Sequence, residues 1–365
     1  MNARSSRAPL FALALASAAC LRVSEERARR DLEVGRAEAA FGTVEVEQGL
    51  SAVRRFEPGV LELWANAPVL HVRLTTPEGD PTTWSVRVRN LMADAEIFVD
   101  DGTGPIAADA PLETERRFEL TVDSGGATEF EVRPPDADAS EPFEFIALAD
   151  VQDAMDRVGD IFALMNAEAA TRFAMFSGDI TERGAADELL RFQDEMRVLR
   201  IPIYTTLGNH ELGEAEVPYH SIFGRGSQSF VFKGVRFTFL DSASATVDPL
   251  VYGWLREWIE AAKTGTHLVF MHVPPREPIG LRNGAFSSRA EAAKLLKILG
   301  DGGVDTTFYG HVHSYYAFEN AGIPAYISGG GGAIPERFDG IGRHYLVVSV
   351  DPESSATSVR VVRVD

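Results

Sequence analysis

Five apolar runs in this chain each end in residues able to bind metal. Asp150 and Gln152 follow the run 143–149, and Gly178 and Asp179 follow 172–176. Gly208, Asn209, His210 and Glu211 follow 201–206, His272 follows 267–271, and Gly310, His311 and His313 follow 306–309. Carboxylate, amide and imidazole donors suit divalent first-row metals and iron. A single carboxylate can bridge two ions about 3.5–4 Å apart, which together acidify a shared water and clamp the oxygens of an in-line displacement. Glycines directly before Asp179, Asn209 and His311 allow the tight turns that aim those side chains. Water is then the nucleophile, in keeping with a chain that has neither a G-x-S-x-G string nor a Cys/His arrangement.

Elements of a particular kind must position these groups. Helical patterns at 153–170, 185–199, 249–263 and 288–299 alternate with the apolar runs, and hairpins are expected at 230–240 and 344–364. Strands alternating with helices predict an α/β layered domain, whose reacting groups gather at the carboxyl ends of strands. Upstream, residues 41–133 change to period-two alternation, as in Trp84-Ser85-Val86-Arg87-Val88-Arg89, broken by Gly, Pro and Asp. That pattern predicts a small all-β, immunoglobulin-like sandwich of antiparallel strands without a catalytic cluster. Pro134 to Asp138 reads as a linker. The expected organisation is a leader at 1–20, a charged, solvated helix or tether at 21–40, a β-sandwich at 41–137 and a catalytic domain at 138–365.

Taken in order, Asp150-x-Gln152, Gly178-Asp179-x-x-Glu182-Arg183-Gly184, Gly208-Asn209-His210-Glu211, His272 and Gly310-His311-x-His313 resemble the calcineurin-like metallophosphoesterase superfamily over residues 143–330. The resemblance implies a four-layer α/β/β/α fold and a phosphomono- or phosphodiesterase that uses a metal-bound hydroxide. It implies a first metal on Asp150, Gln152, Asp179 and His313, and a second on Asp179, Asn209, His272 and His311. His210 would stabilise developing charge or protonate the leaving oxygen, and Arg183 would contact phosphate. Gln152 departs from the His usual in that family. Its amide is a weaker ligand than imidazole, which shifts the expected ions toward Mn or Fe rather than Zn.

Composition limits the partners. The chain has 365 residues, 45% hydrophobic and 24% charged, as in ordinary globular proteins. A net charge of -19 disfavours nucleic acid, whose binding needs a basic patch. The expected substrate is a small phosphate ester. The single cysteine, Cys20, excludes an internal disulfide. Arg4 and Arg7 lead into an apolar run from Leu10 to Ala16 and then small residues, the pattern of a secretory signal peptide. With Cys20 at its end, the segment resembles a bacterial lipoprotein leader, which implies export to the periplasm or outer membrane and lipidation of Cys20. Of the remaining histidines, His71, His267 and His344 are expected to be structural, and His220, with Tyr219 just after the third motif, either packs structurally or lines the substrate cleft. A different class of function, a surface-anchored binding or scaffold protein with a weakened metal site, is separated from the enzyme by metal content. The partner of the sandwich is not readable.

Overall fold

The computed structural model describes residues 24–99, 104–214, 217–337 and 341–364; the expected signal segment and Cys20 lie outside the described residues. Two central sheets carry the C-terminal domain. In one, the strands run in the order Ile203–Thr205, Thr171–Phe176, Phe143–Leu148, His344–Asp351 and Ala356–Arg363. In the other, the order is Gln228–Phe232, Val235–Leu240, His267–Met271, Thr306–Tyr309, Ile323–Ser328 and Tyr315–Asn320. The inner strands of both sheets, such as Phe143–Leu148, Thr171–Phe176, His267–Met271 and Thr306–Tyr309, are covered on both faces, which explains why they read as continuous apolar runs. Along the first strand, Phe143, Phe145 and Ala147 face the opposite sheet, while Ile146 and Leu148 face helices.

An aromatic seam fills the space between the sheets. Phe145 lies 5.9 Å from both Phe173 and Phe270, and Phe270 stacks on Phe308 at 4.9 Å. The helices Val158–Ala167 and Ala186–Glu195 cover one outer face. Pro249–Ala262 and Arg289–Asp301 cover the other. The result is the four-layer α/β/β/α order.

Residues 36–133 form the all-β region, a six-stranded sheet stacked on a four-stranded one. Alternate residues point inward, among them Leu70, Val72 and Leu74 from one sheet and Trp84, Val86 and Val88 from the other. One pairing departs from the antiparallel expectation: Val60–Ala65 runs parallel to Thr82–Arg89. Parallel neighbours need a crossover, and the strand Leu70–Thr75 in the facing sheet supplies it. Asn90 then joins the two domains. Its amide bonds both the carbonyl (2.8 Å) and the N–H (3.0 Å) of Ile203, capping an edge strand that would otherwise offer unpaired backbone.

Residues 24–33 form a helix, and the expectation that its charges only face water is corrected, because it lies against the C-terminal domain. Arg27 sends Nε and Nη2 to the two oxygens of Asp241 at 2.6 and 3.2 Å, with side chains only 2% and 8% exposed. Asp31 accepts from the N–H groups of Gly226 and Ser227, and His220 packs against it at 3.3 Å. Glu25, Glu26, Arg29 and Arg30 form i,i+4 pairs on the same helix. The misreading has a simple cause: residue type does not distinguish a buried Arg from an exposed one. Asp241→Ala would leave the guanidinium of Arg27 buried without its carboxylate. The expected cost is about 3–5 kcal/mol, read as a lower urea midpoint at unchanged slope; a loss below about 1 kcal/mol would contradict the role given to this pair.

Candidate metal centre

The site lies where strands of both sheets end. Asp150 and Asp179 follow Phe143–Leu148 and Thr171–Phe176, and His272 follows His267–Met271. Each offers a ligand atom, and the three atoms lie within 4.8 Å of one another, all buried. Four of the motif residues have left-handed backbone: Asp150 (φ 66°), Gln152 (46°), Asp179 (51°) and His311 (70°). Each such position costs about 1–3 kcal/mol and persists only where the surroundings enforce it. Sharp turns at the strand ends therefore bring the donors back over the sheet edges.

Asp179 stands at the seam of two groups. Its Oδ2 lies 2.9 Å from Gln152 Nε2 and 3.2 Å from His272 Nε2, while Oδ1 accepts the His210 N–H at 2.8 Å. On one side, His313 Nε2 is 3.2 Å from Gln152 Nε2 and 3.5 Å from Asp150 Oδ1. On the other, His272 Nε2 is 2.9 Å from Asn209 Oδ1, and the His311 ring centroid lies 5.1 Å from that of His272. A half-turn of the Gln152 amide would present its oxygen where its nitrogen now sits.

The four motif histidines share one feature. His272 Nδ1 donates to Ser177 O (2.8 Å), His311 Nε2 to Asn283 O (2.8 Å), His313 Nδ1 to Ile334 O (2.8 Å) and His210 Nδ1 to Glu182 O (2.6 Å). A carbonyl only accepts, so each contact places a proton on that nitrogen, and in the neutral ring the opposite nitrogen keeps its lone pair. Metal-ligating histidines are held in this way. For His272 that free nitrogen faces two oxygen acceptors, an arrangement that a cation between them satisfies. The donor set thus fits a pair of ions.

Electrostatics are strong around this seam. Burial opposes the charge of Asp179, but the facing His272 and the His210 N–H outweigh it and hold the carboxyl well below the usual range. Burial likewise acts against a charged His272, yet Asp179 pushes it up to about 9. His313 is pushed up to about 9 against its burial, chiefly by Asp150.

Glu211 was quoted in the motif without a role, and the structure supplies one. Its fully buried carboxylate accepts the N–H groups of Gly208 (2.7 Å), Asp179 (2.8 Å) and Thr181 (3.0 Å) and the Thr181 hydroxyl (2.8 Å). It fastens two motif loops together. Burial, and then the charge of Asp179, raise its pKa to about 7. The stretch Gly329 to Gly332 passes beneath Asp150: a Cβ on Gly331 would sit 2.9 Å from the Asp150 carbonyl carbon. Arg183 is placed on the exterior, with its side chain 65% exposed and its Nε 2.8 Å from Glu188.

His267 is structural, as expected, its Nε2 2.8 Å from the Thr238 hydroxyl. Burial, helped by Arg236, lowers its pKa from 6.5 to about 3. The unfolded chain binds this proton below about pH 6.5 and the folded chain does not until about pH 3. Stability from this group is therefore complete above that window and falls by about 1.4 kcal/mol per pH unit inside it. His267→Gln should reduce by close to one proton the slope of unfolding free energy against pH between about 4 and 6; an unchanged slope would contradict this.

Four layers of this kind bring oxygen and nitrogen donors together at the ends of their strands. The family model described as calcineurin-like phosphoesterase matches residues 143–315. Among solved structures, one of PhoD has a TM-score of 0.50 at 9% identity, covering 86% of this chain and 90% of that one, which is a likeness of fold. A dimetal phosphatase from Danio rerio gives 0.47 at 14% identity, covering 61% of this chain and 99% of that one. A phosphatase from Mycoplasma pneumoniae gives 0.41 at 18% identity, covering 61% and 94%. No curated protein matches the sequence.

Proposed function

We propose that the protein is an exported phosphoesterase working with two metal ions on phosphomono- or phosphodiesters. The position of Asp179 carries this reading: one carboxylate oxygen within 3.2 Å of groups from both halves of the donor set. Asp150, Gln152, Asp179 and His313 would hold one ion, and Asp179, Asn209, His272 and His311 the other. When bound, the ions supply charge neutralisation for phosphoryl oxygens and a water acidic enough to attack at neutral pH. The amide of Gln152 favours Mn or Fe over Zn at the first position.

The remaining work falls to this chain's own residues. His210 has Nδ1–H committed to Glu182 O, so its Nε2 would donate to a phosphoryl oxygen or protonate the leaving one in the imidazolium form, with a proton on each ring nitrogen. Arg183 would contact phosphate by giving up Glu188. Purified protein reloaded with Mn, Fe or Zn should hydrolyse at least one of an aryl phosphate, a diaryl phosphate and a cyclic nucleotide. His210→Ala should lower kcat by about 10²–10⁴-fold. No turnover of any of the three substrates with any of the metals would overturn the proposal. Export and lipidation at Cys20 belong to the same reading, supported by Arg4, Arg7 and the apolar run before the cysteine. Labelled palmitate should appear on the protein, and its absence would remove the anchor.

A further inference from the structure

Two loops flank the metal centre, and they are built alike. Residues 272–288 hand the Asn283 carbonyl to His311, and residues 329–337 hand the Ile334 carbonyl to His313. Each also exposes a large aliphatic side chain: Ile279 is 38% exposed and Ile334 72%, the highest value among the large exposed hydrophobics described. Glu277 accepts the N–H groups of Ile279 (2.6 Å) and Leu281 (2.7 Å), fixing the turn that carries Ile279. Each loop exposes an arginine as well, Arg282 and Arg337. Neither makes an ion pair among the described residues, whereas Arg183 at the second motif is paired.

The path of the N-terminus is an independent observation. Ser24 donates to Asp248 at 3.1 Å, and Asp248 caps the helix Pro249–Ala262 just beyond the carboxyl end of Val235–Leu240. Ala245 on the same connection accepts the Ser287 N–H at 3.2 Å, which ties this spot to the first flanking loop. The chain therefore enters the fold at the end where the metal centre lies. Only three residues lie between Ser24 and Cys20 in the sequence, a reach of at most about 14 Å.

Resting on the phosphoesterase reading above, we infer that the substrate is a phosphoester carried by a lipid at a membrane surface. Ile279 and Ile334 enter the acyl boundary, and Arg282 and Arg337 engage headgroup phosphates, the pairing that interfacial protein surfaces use. An acyl chain on Cys20 holds the same end of the molecule against the bilayer. The chain as a whole, at a net -19, is repelled by anionic headgroups, so the basic and apolar rim orients the cleft toward them.

The test compares two substrates on one preparation of the full chain loaded with metal: vesicles of phosphatidylethanolamine and phosphatidylglycerol doped with phosphatidic acid, and a soluble aryl phosphate with its diaryl counterpart. Ile279→Ser and Arg282→Gln should each lower the rate on vesicles about tenfold and leave the soluble rates unchanged. In parallel, the chain carrying Asp179→Asn, which does not consume lipid, should sediment with the vesicles, and adding Ile279→Ser should release it. Soluble esters hydrolysed with no turnover of vesicle lipid would overturn this inference and leave the phosphoesterase reading standing. Equal losses on both substrate forms, or no sedimentation with vesicles, would also overturn it. No hydrolysis of either form would remove the phosphoesterase reading itself.

Discussion

Asp179→Asn is expected to reduce turnover by about 10³-fold or more while leaving the fold intact. Loss of an outer-shell partner typically costs about 10–100-fold in metal affinity or activity, and Asp179 stands one step closer, between both donor groups. The substitution is isosteric. Asparagine keeps an oxygen for the His210 N–H, now 2.8 Å from Oδ1, and its own N–H still reaches Glu211. What disappears is a negative charge that is only 1% exposed and faces His272. Far-ultraviolet dichroism and the thermal midpoint should therefore stay close to the parent while kcat collapses. Parental turnover in the variant would show that the carboxylate is not central.

Gly208→Ala should be nearly as damaging for a different reason. A Cβ built on Gly208 would lie 2.0 Å from Asp179 Oδ1 and 2.4 Å from Asp179 N. Neither the carboxylate nor the backbone can withdraw, because Glu211 holds the N–H groups of Gly208 and Asp179 on one oxygen. The clash therefore moves Asp179 away from the histidines or breaks the Glu211 network. Loss of activity should come with about 1–3 kcal/mol of destabilisation, as in other overpacked interiors. Gly159→Ala makes a suitable control: a Cβ there meets nothing within 4 Å and sits in a helix. That change should be neutral or stabilising by up to about 1 kcal/mol. If both variants behaved alike in activity and melting, the close approach at Gly208 would have no functional meaning.

The legibility of this chain varied with the kind of signal. The strands His267–Met271 and Thr306–Tyr309 occur at the residues expected, because buried parallel strands are short apolar blocks with sharp ends. The hairpin Tyr315–Asn320 with Ile323–Ser328 was not anticipated. Only its inner strand is mostly buried, and its turn at Ala321-Gly322 lacks the usual Asn-Gly signature. Motif side chains were readable because few residue types bind metal. The carbonyls of Ser177, Asn283, Ile334 and Glu182 were not, since a main-chain oxygen leaves no mark on residue identity. Asn283 lies 28 residues from the histidine it orients, a distance only the fold can close. The burial of Arg27 was hidden for a related reason: its partner Asp241 is 214 residues away.

Elemental analysis of the purified protein after reloading with Mn and removal of free ions addresses the dinuclear centre most directly. Close to two equivalents per wild-type chain, falling to one or fewer in Asp179→Asn, is the expected outcome. A wild-type chain that retains one ion or none, or an Asp179→Asn chain that still keeps both, would contradict a shared carboxylate joining two metal positions.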